Sequence, residues 1–289
     1  MNYSANSCES SENENRDTPQ QQIIEMGSTV VKNKRGTIHC LTIIGQVEGH
    51  TTLPPNVKTT KYEHVLPLLT SVEEKDDVDG LLLLLNTVGG DIEAGLGIAE
   101  LVAGMTKPTA TLVLGGGHSI GVPLTVSARR SFIVPSATMT VHPVRYNGTI
   151  ISAPQTYRYL DRIEERIVGF VARNSKITRE RYLELMKNVG ELATDIGCIL
   201  NGEEAVAEGL VSSLGGIADA FEALYEMIEH DGQGKASARQ AKGAPKRASA
   251  APQETAPPAR GKQRQQKAPR QSAPEEAPKT RRSQKEPRT

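Results

Sequence analysis

Five consecutive leucines, residues 81–85, stand between Gly80 and Asn86. A run that short, apolar at every position and bounded by glycine and a turn residue, suits a strand buried on both faces, as in a parallel sheet. Similar short runs recur at residues 37–45, 109–114, 131–134 and 138–143. Between them the apolar spacing lengthens to three and four. Tyr62, Val65, Leu66, Leu68, Leu69 and Val72 predict a helix over about 61–72, with Pro67 near its first turns or kinking it. Ile92, Leu96, Ile98, Ala99, Leu101 and Val102 form one face of a second helix, for which Asp91 is the expected N-cap. A short helical run follows at 122–128. Ile163, Ile167, Phe170 and Val171 mark a long helix over about 155–174, and Thr178 caps the next. Short helices are expected at 203–209 and 218–228. Strands alternating with helices in this order predict an α/β fold with mostly parallel strands and right-handed crossovers.

Charge divides the chain where hydropathy does. Residues 231–289 carry 15 Lys/Arg against 5 Asp/Glu, a net of +10, and contain no Leu, Ile, Val, Met, Phe, Tyr or Trp. That leaves 19 against 29 in residues 1–230, a net of −10. A segment without apolar side chains cannot offset the entropy of ordering itself, so the basic tail from 231 is expected to be disordered, as is the polar stretch 1–22. The expected folded domain is 23–230. The tail lacks aromatic residues on which bases could stack. A solvated extension is therefore favoured over a nucleic-acid-binding arm, although contact with nucleic acid or another anionic surface stays open. Cys8, Cys40 and Cys198 are widely spaced and form no Cys-x-x-Cys pair, which suits a reducing compartment and gives no zinc pattern. The first residues show no basic segment followed by an apolar one, and no apolar run is long enough to span a bilayer. A soluble, cytoplasmic protein is expected.

The chemistry concentrates at the ends of two strands. One turn reads Asn86-Thr87-Val88-Gly89-Gly90, the other Gly115-Gly116-Gly117-His118-Ser119-Ile120-Gly121. In open α/β sheets, sites form beyond the C-terminal ends of strands. Glycines there allow positive φ and close approach of backbone to a ligand. A serine at such a strand–helix turn suits a nucleophile, with nearby backbone N–H groups as an oxyanion hole, yet Gly-x-Ser-x-Gly by itself equally describes a helix cap. His118 and His142 are both available as bases, and a strand-end histidine taken alone is more often structural.

The two glycine turns, followed by Thr140-Val141-His142-Pro143 and by residues 203–211, resemble the ClpP family of serine peptidases over about 36–228, and within it most closely the translocation-enhancing branch. The resemblance implies a spiral core of repeated β-β-α units shared with crotonases, and a homo-oligomeric ring acting on polypeptide substrates. It implies Ser119 as nucleophile and His142 as base, with the N–H groups of Gly89, Gly90 and Ile120 as candidates for the oxyanion hole. Neither a metal nor an organic cofactor is required by that chemistry. The family's aspartate falls on Gly197 when no gap is allowed, so Asp195, two residues earlier, is the expected orienting acid. Thr87-Val88 replaces the family's Ser-Pro. An ATPase partner and a link to secretion are left open, as are two other readings: a non-catalytic ring scaffold and a crotonase-type acyl-CoA enzyme.

Overall fold

The computed structural model describes residues 27–189 and 196–243. The described strands are β1 (Ser28–Asn33), β2 (Gly36–Glu48), β3 (Thr59–Lys61), β4 (Gly80–Gly90), β5 (Thr109–Gly117), β6 (Arg130–Ile133), β7 (Thr138–Val141), β8 (Cys198–Asn201) and β9 (Ser213–Leu214). The described helices are α1 (Tyr62–Glu74), α2 (Ile92–Ala103), α3 (Gly121–Val126), α4 (Ala153–Asn174), α5 (Arg179–Met186), α6 (Gly202–Ala207) and α7 (Ile217–Gly243). The main path through the sheet is β1-β2-β4-β5-β6-β9. All its pairings are parallel except β1 with β2. β7 joins β5 in parallel at Gly116 and pairs antiparallel with β8.

The leucine run lies where its composition places it. Alternate side chains of a strand point to opposite faces. Leu81, Leu83 and Leu85 enter a core with Val65 and Leu69 of α1, Ile98 and Val102 of α2, and Ile163 and Phe170 of α4. Leu82, with Ile38, Leu112 and Phe132, faces the other way against Ala220 and Leu224 of α7, and Leu84 packs on that second cluster. Burying each leucine stabilises the fold by roughly 2 kcal/mol, so a central strand apolar on only one face would leave α7 unanchored. The caps follow the sequence too: Asp91 accepts from the Ala94 N–H at 2.9 Å, and Thr178 from the Arg181 N–H.

Three differences from the sequence reading matter. β4 does not stop at the leucines but runs through the glycine turn, pairing Gly89 and Gly90 with Gln46 and Val47 of β2. β1, β3, β8 and β9 were not anticipated, because each is short, or two-sided polar like β1, and owes its extension to a partner strand. The last helix continues past Ile228 to Gly243. Arg129 pairs with Asp231 at 3.0 Å at the start of that extension, and the Ala, Lys, Arg and Gln residues that follow are intrinsically good helix formers. The basic segment therefore begins as helix rather than at a break at 231. The expected disorder of 1–22 and of the tail from 244 lies outside the described residues. Among the described residues no helix is long and apolar enough to cross a membrane, and no cluster of His, Cys, Asp or Glu could hold a metal ion.

Candidate active site

Ser119 ends the β5 turn with φ of 57°, the one positive φ outside glycine among the described residues. A side chain in the left-handed region costs about 1–3 kcal/mol, so the surrounding structure has to hold it there. It does so with backbone hydrogen bonds: the Ser119 N–H donates to Thr140 O at 2.8 Å, the Gly121 N–H to His118 O at 2.8 Å, and the Val122 N–H to Ser119 O at 3.0 Å. Ser119 is thus pinned to β7, the strand that ends one residue before His142. The strained turn lifts the serine out of the strand-to-helix path, the arrangement known as a nucleophile elbow.

One pocket of about 220 Å³ collects the parts. Ser119, Ile120, Gly90 and His142 all line it, together with the apolar side chains of Val88, Ile92, Val141, Val144, Ile167 and Tyr182, and with Arg145. Gly89 lies behind the serine: a Cβ there would stand 2.7 Å from Ser119 Cβ and 3.0 Å from His118 O. Its φ is +95°, and Gly90, at +150°, would drive a Cβ to 2.2 Å from Val47 O. Only glycine fits either position. The three N–H groups expected at the oxyanion hole part company here. The Gly89 N–H donates to Thr87 Oγ1 at 3.0 Å, whereas Gly90 and Ile120 border the pocket beside Ser119. Ile120 is 2 % exposed and its side chain lies so close over α2 that a Cβ at Gly95 would reach within 2.3 Å of Ile120 Cγ1.

His142 Nδ1 lies 2.7 Å from Pro143 O. A carbonyl can only accept, so Nδ1 carries the proton and a neutral ring keeps its lone pair on Nε2, the tautomer a general base requires. Ser119 Oγ and His142 are not hydrogen-bonded to one another in this arrangement; such bonds commonly tighten only when substrate is bound. Asp195 lies outside the described residues. Gly197 does not: a Cβ on it would be 2.9 Å from His142 Cβ, so the chain two residues beyond Asp195 packs directly on the histidine.

His118 takes a different part. Its Nδ1 lies 2.8 Å from Thr140 Oγ1, its ring covers Gly116, and burial holds its pKa below the ordinary histidine value of about 6.5. His39, bonded to Ser28 Oγ at 2.7 Å, is lowered for the same reason, with Lys75 adding to it. A depressed histidine pKa contributes stability in full above the unfolded value and loses it as pH falls below that value toward the folded one. The thermal midpoint is therefore expected to drop between pH 7.5 and 5.5, and His118→Gln should flatten that slope when melting is followed by circular dichroism. Cysteine chemistry has no place at Cys40, whose thiol burial pushes up to about 11.

Sequence reasoning missed Thr87, Thr140 and Pro143 as parts of the site. The two polar residues that follow five leucines, Asn86 and Thr87, were the available signal for the first. Asn86 Oδ1 accepts from the Gly116 N–H at 2.9 Å and holds the neighbouring turn.

Strand-end glycine turns, a strained serine between strand and helix and a histidine from the adjacent strand end lie together on a largely parallel sheet of an α/β protein. The family follows from comparison. The Clp protease family model matches residues 34–228, and the chain belongs to that family. It is 53% identical over 210 residues to the translocation-enhancing protein TepA of Halalkalibacterium halodurans, which covers 72% of this chain and 82% of that protein. It is 26% identical over 211 residues to a Methanocaldococcus jannaschii protein provisionally named a protease, covering 62% of this chain and 65% of the other.

Proposed function

We propose that this chain is a cytoplasmic serine endopeptidase of the ClpP kind. The observation that carries this reading is the strained Ser119 sharing one pocket with His142 and with the backbone at Gly90 and Ile120. Ser119 Oγ attacks the scissile carbonyl carbon and its proton passes to His142 Nε2. The carbonyl oxygen, now an oxyanion, is received by the N–H groups of Gly90 and Ile120, each such donor being worth about 10²–10³ in rate. His142 returns the proton to the leaving amine as the C–N bond breaks. Water, deprotonated by the same ring, then releases the acyl group from Ser119. Asp195 is the proposed carboxylate behind His142, supported by the packing of Gly197 on that histidine.

The apolar lining from Val88, Ile92, Val141, Val144, Ile167 and Tyr182 suits an apolar substrate side chain, and unfolded or short polypeptides are the proposed substrates. The name of the H. halodurans relative, a translocation-enhancing protein, supports a role connected with translocation. The reading is tested by a fluorophosphonate probe, whose phosphorus is attacked by Ser119 Oγ with loss of fluoride. A wild-type chain that resists labelling under assembling conditions would return the scaffold reading, in which the fold is kept without the chemistry. Family membership also supports a homo-oligomeric ring. Multi-angle light scattering is expected to give a mass many times the 31.2 kDa of one chain. A monomer at every concentration would count against an enclosed chamber.

A further inference from the structure

We propose that the buried hydroxyl of Thr87 is the positioning group of the oxyanion hole, fixing the direction in which the Gly90 N–H points. The proposal rests on the peptidase reading above and adds to it a residue outside the Ser–His pair. Thr87 is 1% exposed. Its Oγ1 donates to Gly45 O at 2.6 Å and accepts from the Gly89 N–H at 3.0 Å. Its own carbonyl accepts from the His118 N–H at 3.2 Å. Its methyl fills the space over the start of α3, where a Cβ on Gly121 would lie 2.8 Å from Thr87 Cγ2. One residue thus ties β2, the oxyanion turn and the serine turn together, the first two through its hydroxyl.

The need for such a tie is visible in the sheet. The β2–β4 register shifts between Gly45 and Gln46, and the β4–β5 register shifts between Leu85 and Thr87. Both ladders are irregular at the same level, where β4 loses evenly spaced backbone bonds on each side. Beyond this point come two glycines in succession, the residues whose peptides turn most freely. The far end of that pair is held by the Asp91 N–H on Val47 O at 2.9 Å. The near end is held by the Thr87 hydroxyl on the Gly89 N–H. With both ends fixed, the Gly89–Gly90 peptide has one orientation, beside the pocket that Gly90 lines. Without the hydroxyl the near end keeps only the strand pairing of Gly89 with Gln46 across a register shift, and a donor misplaced by about 1 Å loses much of its effect on the transition state.

The experiment compares two pairs of chains that differ only in what stands at the hydroxyl position: wild type with Thr87→Val, where a methyl replaces it, and Thr87→Ser with Thr87→Ala, where a hydrogen does. Each is assembled as the full chain, checked by light scattering and melting, and titrated with a fluorophosphonate to separate kinact from KI. Loss of the hydroxyl is expected to lower kinact about 10- to 100-fold in each pair while leaving KI unchanged, with Thr87→Ser keeping most of the wild-type rate. Should the valine chain fail to assemble, the serine–alanine pair carries the comparison. Equal kinact within the pairs, a loss that follows the methyl instead of the hydroxyl, or a change confined to KI would overturn the proposal. Failure of the wild type to label would overturn the peptidase reading instead, so the two outcomes are distinct.

Discussion

Ser119→Ala is expected to abolish both fluorophosphonate labelling and peptide hydrolysis, with assembly and melting temperature essentially retained. The expectation rests on geometry peculiar to this residue. Ser119 is held at φ of 57° by bonds from its own N–H and carbonyl and from the backbone on either side, not through its side chain. Alanine keeps every one of those backbone bonds, and the strain of the left-handed turn is nearly the same for both residues. What disappears is Oγ alone. Removing the nucleophile of such a site costs about six powers of ten, and residual catalysis comes from the oxyanion hole. Mass spectrometry of the labelled chain should place the adduct on the peptide containing Ser119. An adduct that persists in the alanine chain would move the nucleophile elsewhere.

Asp195→Asn is expected to lower turnover by up to about four powers of ten while leaving the oligomeric state unchanged. The Pro143 carbonyl already holds His142 in the required tautomer, at 2.7 Å from Nδ1. A carbonyl carries no full charge, however, and in the proposed reaction the ring is an imidazolium from the attack of Ser119 until the amine leaves. A carboxylate stabilises that cation as well as orienting the ring, because hydrogen bonds between ionised partners are about twice as strong as neutral ones. Asparagine matches aspartate in size and forfeits the charge. Asp91 and Asp219 provide the comparison, since both act locally. Asp91 caps α2 through the Ala94 N–H, and Asp219 accepts from the Gly216 N–H at 2.7 Å. Their asparagine variants should cost little turnover. Steady-state kinetics on a fluorogenic peptide decides the matter. Near-normal activity in the Asp195→Asn chain would leave Pro143 O as the group that orients His142.

Most of the fold could be read before any coordinates because its signals are local. The leucine run is apolar on both faces, and the structure buries Leu81, Leu83 and Leu85 on one side of the sheet and Leu82 on the other. Asp91 and Thr178 announce helix starts by side-chain chemistry that acts within three residues. Membership of the Clp protease family was legible in the same way, since the glycine turns and the His-Pro strand end are contiguous motifs. The strands that escaped notice lack such signals. β8 becomes a strand because β7 lies antiparallel beside it, a pairing of residues such as Met139 with Leu200 that no local period records.

By itself, the sequence determined the alternation of strands and helices, the two glycine turns, and the residue types at Ser119 and His142, because periodicity, capping and turn chemistry operate over a few neighbouring residues. Only the tertiary structure decided how those residues are used. The strain at Ser119 depends on Thr140, 21 residues away; the commitment of the Gly89 N–H depends on a Thr87 hydroxyl that is itself anchored on Gly45, 42 residues earlier. Whether a given N–H is free to meet an oxyanion is settled by which distant acceptor reaches it first, and such non-local pairing exists only once β2, β4, β5 and β7 lie side by side.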